Sequence, residues 1–422
     1  MIFKAFAVLA LLAVPLGAVR RFCSAIVSAI ALSIILSAPI GAAYTANTIS
    51  GFETGDLTEF ISTAGSPTSA TAAAKTGARG LRGTGGDVAT IGFVGSLTDG
   101  SPYIFGFWAR MSDATPSSVA DLANVQTSSA GTESGIRINV SGQVKVVDAT
   151  GGVTGTTTIS DNTWYYFELF VDPDDAGDVE LFIDGTSDLT DTGDYNQTSA
   201  VDRARLIGFS GATHTSNIDI DGFYLLEDVT DANDRCSVSS SRLCEVFWFS
   251  GGPASVTPDS GNDLDTGQWD HLSEMPLNTT GDTAEYSGSG ALSGDVDTDD
   301  VGTGSCTGGP SGCAEIDGAL IAANWLLYAE RGTGGGTTHN MRWGNSVDTV
   351  TETAISLGTS PAMFRQASAT ASQMPTTSEY CSVGISKGSG ARDYEPWEHW
   401  CYILHQEPAA GAGDNLMVIG SP

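Results

Sequence analysis

Six residues, D-V-D-T-D-D from Asp295 to Asp300, carry four carboxylates at alternate or adjacent positions. Oxygen ligands so spaced suit a hard cation, and calcium is the cofactor this pattern admits. The run is not an EF-hand loop, because Asp300 stands sixth where a glycine is required and Cys306 stands twelfth where a bidentate glutamate is required. Asp295, Asp297 and Asp299 are the candidate ligands here. Asp219 and Asp221, in I-D-I-D-G-F, form a second candidate set. The competing reading makes both runs plain solvated segments, since alternate residues of a strand share one face and both aspartates would then look into water. A third acidic group, Asp172, Asp174, Asp175 and Asp178, crowds a turn between two apolar runs.

Catalytic patterns occur only in fragments. Glu315-Ile316-Asp317 begins E-x-D-x-x-E, which sets a nucleophile and an acid/base on one strand face, but Leu320 fills the second glutamate position. Gly384–Gly388 spells G-x-S-x-G, yet the glycine-rich G-S-G-A-R-D-Y follows where a nucleophile elbow needs a helix. No enzymatic activity is expected. Sugar contact is a better use of the aromatic residues, because rings beside Asp, Asn or Gly make shallow amphipathic sites. Trp397 and Trp400 in E-P-W-E-H-W, with Trp269 and His271 in a Gly/Asp-rich stretch, are the candidates. Trp108, Trp164, Trp248 and Trp325 read as core filler.

The elements that must position such residues are strands. Of 422 residues, 52 are glycine and only 16% are charged, and apolar residues alternate with Ser, Thr and Asp between turn signals. Brief helical candidates remain at Ser117–Val125 and Ala319–Tyr328, the second reading equally well as strand. The length suggests two domains. Acidic side chains outnumber basic ones 50 to 18, a formal net charge of −32, which argues against a nucleic-acid partner. That balance suits a protein of extracellular or salty surroundings, or one that captures cations.

Residues 1–43 are expected to be a signal peptide or hydrophobic leader. Arg20-Arg21 precede an apolar run, Phe22–Ile40, closed by the small residues Gly41–Ala43, so export with cleavage after Ala43 is expected. A preceding apolar run, Ile2–Val19, leaves two alternatives open: a membrane hairpin, or a true start near Val19. Any membrane contact would run through an uncleaved leader. Beyond Cys23 in the leader, six cysteines remain: Cys236, Cys244, Cys306, Cys313, Cys381 and Cys401. Close spacing suggests the disulfides Cys236–Cys244, Cys306–Cys313 and Cys381–Cys401, among fifteen possible pairings. A zinc site has no C-x-x-C pair to build on.

The expected organisation is all-β, two tandem β-sandwich (jelly-roll) domains after the leader. The first spans 44–231, a linker spans 232–244, and a second disulfide-containing sandwich-like domain spans 245–422. Strands are expected at Tyr103–Met111, Gly135–Val140, Gln143–Asp148, Arg205–Phe209 and Ile218–Leu226, with a hairpin inside Thr163–Gly185. The first half resembles the concanavalin A-like superfamily, specifically laminin-G-like jelly-roll modules. The resemblance rests on F-E-T-G-D (Phe52–Asp56), K-T-G-A-R-G-L-R-G (Lys75–Gly83), F-G-F-W-A-R (Phe105–Arg110), W-Y-Y-F-E-L through F-I-D-G (Trp164–Gly185) and I-D-I-D-G-F (Ile218–Phe223). It implies a sandwich that recognises an extracellular glycan or protein surface, in some members with one rim calcium. The second half is loosely similar to β-sandwich structural proteins of phage virions. That similarity implies a competing role in self-assembly within a virion or surface structure, with the leader then a start-site artefact.

Overall fold

The computed structural model describes residues 44–228 apart from short stretches (85, 99, 130, 149–150, 175–176, 194, 196–199 and 210–215). Beyond them it describes 244–258, 292–298, 320–331, 338–345, 351–358, 360, 362–367, 381–387 and 394–406. The expected leader, Trp269, His271, Asp299, Cys236, Cys306, Cys313 and all of the expected linker except Cys244 lie outside the described residues, as does the side chain of Trp248.

Strands run in chain order as β1 Tyr44–Ser50, β2 Phe60–Ala64, β3 Thr68–Ala70, β4 Gly80–Gly83, β5 Val88–Gly92, β6 Tyr103–Met111, β7 Ala120–Thr127 and β8 Thr132–Ile138. They continue as β9 Gln143–Asp148, β10 Val153–Thr158, β11 Tyr165–Val171, β12 Gly177–Ile183, β13 Thr186–Gly193, β14 Val201–Phe209 and β15 Ile218–Asp228. The second half adds β16 Cys244–Pro258, β17 Leu292–Thr298, β18 Leu320–Arg331, β19 Thr338–Asn345, β20 Thr351–Ser356, β21 Ala362–Ala367, β22 Cys381–Lys387 and β23 Tyr394–Gln406.

The fold is all-β, and a 3-10 turn at Thr71–Ala73 is the only helical element among the described residues. The helical candidate at Ser117–Val125 is strand instead. Its residues from Ala120 enter β7, which is buried along its whole length and hydrogen-bonded to β8 on one side and β14 on the other. Two-sided pairing outweighs the helix preference of Ala120, Leu122 and Ala123 within it. The other candidate is β18.

Two antiparallel sheets make the first sandwich. One runs β13-β12-β11-β6-β15-β4-β3, with β1 also paired to β15; the other runs β10-β9-β8-β7-β14-β5-β2. Period-two alternation sends Phe105, Phe107, Phe167, Leu169, Leu181 and Phe223 of the first sheet into one core with Leu122, Val125, Ile136, Val144 and Leu206 of the second. The expected hairpin is present, Phe167 facing Ile183 and Val171 facing Val179. The next turn, β12 to β13, is made by Asp184-Gly185. Both have positive φ, 50° and 73°, the conformation a tight hairpin demands.

The third sheet has the order β20-β19-β22-β17-β16-β23-β18-β21. Strand β16 serves two layers: Cys244–Ser250 pair with β23, and Gly251–Pro258 pair with β17. The rings of Trp325 on β18 and Trp343 on β19 lie 5.0 Å apart although their strands are far apart in the order, so this sheet folds back on itself. Both halves belong to one compact unit, Ala42–Pro422. A second apolar cluster joins them: Ile104, Trp108, Tyr166, Phe170, Tyr224 and Leu226 meet Val246, Ala322, Leu326, Tyr402 and Leu404. The outer face of the first sheet is thus covered over much of its area by the β16–β23–β18 layer.

Candidate functional site

Strand register arranges the outward residues of the first sheet in rows. In the first row Arg82 on β4 faces Asp219 on β15, and Asp219 faces Arg110 on β6. Trp164, just before β11, completes it, with the Arg110 guanidinium 4.7 Å from the indole centre. The second row is Asp221, Trp108 and Tyr166, closed by Asp184, whose carboxylate accepts the Tyr166 N–H at 2.8 Å. The third row is Tyr224, Gly106, Glu168 and Phe182. Among the described residues, cover from the second half ends within the second row. Tyr166, Tyr224 and Glu168 are wholly buried, whereas Arg82, Arg110 and Trp164 are partly open and Lys75 and Asp184 are exposed.

The open end is held rigid by carboxylates that anchor backbone and guanidinium groups. Asp219 takes Arg82 Nε at 2.6 Å and Nη2 at 2.8 Å, and Arg110 Nη2 at 2.6 Å and Nε at 3.1 Å. Asp221 accepts the backbone N–H of Lys75 at 2.6 Å and of Thr76 at 2.9 Å. Glu53 accepts those of Ala78 and Arg79, each at 3.1 Å. The 71–79 loop is therefore latched at two points. Gly77 is required between them: its φ is +66°, and a Cβ there would stand 1.8 Å from Glu53 Oε1. Burial and the neighbouring Asp221 charge push the Glu53 carboxyl from 4.5 up to about 9, against the pull of the two backbone N–H groups. From this loop Lys75 reaches back so that its Nζ lies 4.5 Å from the Trp108 ring centre.

The covered rows hold a buried polar chain. The Tyr166 and Tyr224 hydroxyls are 2.6 Å apart, and Tyr224 donates to Glu168 Oε2 at 2.6 Å. The amide of Cys244, arriving on β16, bonds the Tyr166 hydroxyl. Burial holds both phenols well above their ordinary range, so they stay protonated donors. Gly106 makes the chain possible, since a Cβ there would sit 2.5 Å from the Tyr224 hydroxyl crossing over it. Beside it Tyr402 of β23 donates to Glu59 Oε1 at 2.7 Å and accepts the Glu53 N–H at 3.3 Å. Arg365 of β21 donates to the Glu59 carbonyl and, at 3.2 Å, to Thr48 Oγ1. Burial raises the Glu59 carboxyl, and the Arg365 charge opposes the rise.

Sequence reasoning singled out other residues. Asp219 and Asp221, considered as calcium ligands or as solvent-facing, are 3% and 1% exposed and are engaged by guanidinium and amide groups. Asp295 and Asp297 lie on β17, opposite Gly384 and Ser382 of β22. Trp397 and Trp400 lie on β23, where Trp400 faces Ser250 and Leu326. The side chains of these four are outside the described set. Cys381 begins β22; Cys244 and Cys401 are buried and disulfide-bonded. They are not partners of one another by register, as Cys244 faces Gln406 and Cys401 faces Phe249. Trp325 is core, as expected, but Trp164 is not: it sits half-buried on the outer face. Lys75, Arg82 and Arg110 were missed as site residues. All three lie inside the quoted motifs, and period two already puts Trp108 with Arg110 on one face, but only strand order adds Arg82 and Trp164.

No protein-family model matches the chain, and no curated protein does. Among solved structures it is similar to an endo-β-1,4-glucuronan lyase from the fungus Trichoderma reesei, at 13% identity over 43% of this chain and 95% of that one, with a TM-score of 0.35. It is similar to the cellulose-induced protein Cip1 at 14% identity, 42% and 96% coverage and a TM-score of 0.33. A domain of an extracellular arabinanase from Geobacillus stearothermophilus, solved with arabinotriose, gives 14%, 44%, 93% and 0.32. The likeness concerns the β-sandwich fold and nothing finer.

Proposed function

We propose that the protein is an exported, non-catalytic binder of glycans or glycan-bearing surfaces, and that its contact surface is the open end of the first sheet's outer face. The observation that carries this reading is the first row, Arg82–Asp219–Arg110–Trp164: a partly exposed indole beside polar groups fixed by short charge-assisted hydrogen bonds. A shallow site with a rigid ring and preset donors suits sugar, which offers an apolar ring face and hydroxyls together. Carboxylates in this neighbourhood act as anchors in this reading, Asp219 and Asp221 included, so it assigns them neither calcium nor acid/base work. The bonded state of Cys244 and Cys401 supports an oxidising destination, and the Arg20-Arg21 pair before the apolar run 22–40 is the sequence pattern that supports export. The test is a glycan array probed with the full mature chain and with Trp164→Ala. Binding to a defined set of glycans, lost in the variant at unchanged melting temperature, is expected. Absence of glycan binding, or binding indifferent to Trp164, would overturn the reading.

A further inference from the structure

Resting on that reading, we infer that the first row binds a single anionic group, the carboxylate or sulfate of one acidic sugar unit, across the free edges of Arg82 and Arg110. Charge and donor count lead there. Two guanidinium groups share one carboxylate, Asp219, so the trio keeps one surplus positive charge in a chain whose formal net charge is −32. Each guanidinium has five N–H donors. In both, Nε–H and one Nη2–H go to Asp219 and the other Nη2–H goes to the carbonyl of Ala72, at 3.2 Å for Arg82 and 2.6 Å for Arg110. That leaves both N–H groups of Nη1 on each arginine without a partner among the described residues.

Because both Nη2 atoms reach the same Asp219 oxygen and the same Ala72 carbonyl, the two guanidinium groups converge on one point of the face. The arginine side chains are 27% and 24% exposed while Asp219 is 4%, so the donors open to solvent and the countercharge lies beneath. Charged N–H donors left open in this way suit the oxygens of a carboxylate or sulfate. One anion neutralises the surplus. A polyanion would add charges that the acidic body repels, so isolated acidic units in an otherwise neutral glycan are the chemistry favoured.

The test compares three oligosaccharides by calorimetric titration against the full mature chain: one ending in a uronic acid, the same with its carboxyl reduced to the alcohol, and the same neutral sugar carrying a sulfate ester. Arg82→Lys is the informative variant, since lysine keeps a charge beside Asp219 but removes the Nη1 edge; its melting temperature reports folding. The uronate or the sulfate, whichever is the natural group, should bind at least tenfold tighter than the reduced sugar, and Arg82→Lys should erase that preference. Equal affinity for all three sugars, or a preference unmoved by Arg82→Lys, overturns the anion inference and leaves glycan binding standing. Failure of every sugar to bind overturns both.

Discussion

Replacing Glu53 by glutamine should change the slope of stability against pH more than its height. Glu53 is buried, and its carboxyl is raised from 4.5 in the open chain to about 9 in the fold. A raised carboxyl contributes stability that is full below the unfolded value and drains away as pH climbs toward the folded one, because only the unfolded chain releases the proton. Between pH 6 and pH 8 the difference is close to one proton, or about 1.4 kcal/mol per pH unit, so Glu53 should cost the wild type roughly 2–3 kcal/mol over that interval. Glutamine mimics the protonated acid. Its one oxygen, at the Oε2 position, can accept both the Ala78 and Arg79 N–H groups. The Glu53→Gln variant should therefore match the wild type near pH 5 and overtake it by roughly 4 kcal/mol toward pH 8, read as urea midpoints at pH 5, 6, 7 and 8. If the gap stays flat across the series, the two backbone N–H bonds outweigh desolvation, Glu53 is ionised throughout, and the reasoning fails.

Three further substitutions probe the scaffold around the site. Gly77→Ala should destabilise by about 2 kcal/mol or more, because the residue must hold positive φ and its new methyl would meet Glu53; thermal unfolding checks this. Gly106→Ala should force the Tyr224 hydroxyl off Glu168, costing about 1–3 kcal/mol from overpacking, with a weaker effect when combined with Tyr224→Phe in a double-mutant cycle. Tyr402→Phe takes the tyrosine partner from Glu59 Oε1 and from the Glu53 N–H in the layer joining the halves. It should cost about 1–3 kcal/mol and shift the urea midpoint; an unchanged midpoint would show that the Tyr402 hydroxyl is not what ties the two halves together.

Much of the fold was legible because it depends on local rules. Alternation in Y-I-F-G-F-W-A-R-M and V-E-L-F-I-D announces strands with one core face, and D-G at 184–185 announces a tight turn. The site was less legible, for a physical reason: it exists only in register. Arg82, Asp219, Arg110 and Trp164 come from four separate stretches of chain, and nothing in any one stretch says which neighbour it will face. The quoted motifs did contain the anchors. Glu53 of F-E-T-G-D holds the loop of K-T-G-A-R, and the two aspartates of I-D-I-D-G-F hold that loop and the two arginines. Solvent-facing alternation misled for Asp219 and Asp221 because this outer face is covered partly by the 71–79 loop and partly by a second layer.

Where that second layer stops follows from charge. The lower rows of the face offer Ile104, Phe170, Tyr224 and Leu226, whose apolar surface gains from being covered, and the buried carboxylate beside them, Glu168, is satisfied by Tyr166 and Tyr224. The first row cannot be closed on the same terms. Asp219 neutralises only one of its two arginines, and burying the remaining charge without a counterion would cost several kcal/mol. Cover by β16 and β23 is thus favourable up to Trp108 and unfavourable past Arg110. The arginine charge that keeps the first row in water is the same charge that gives it something to bind.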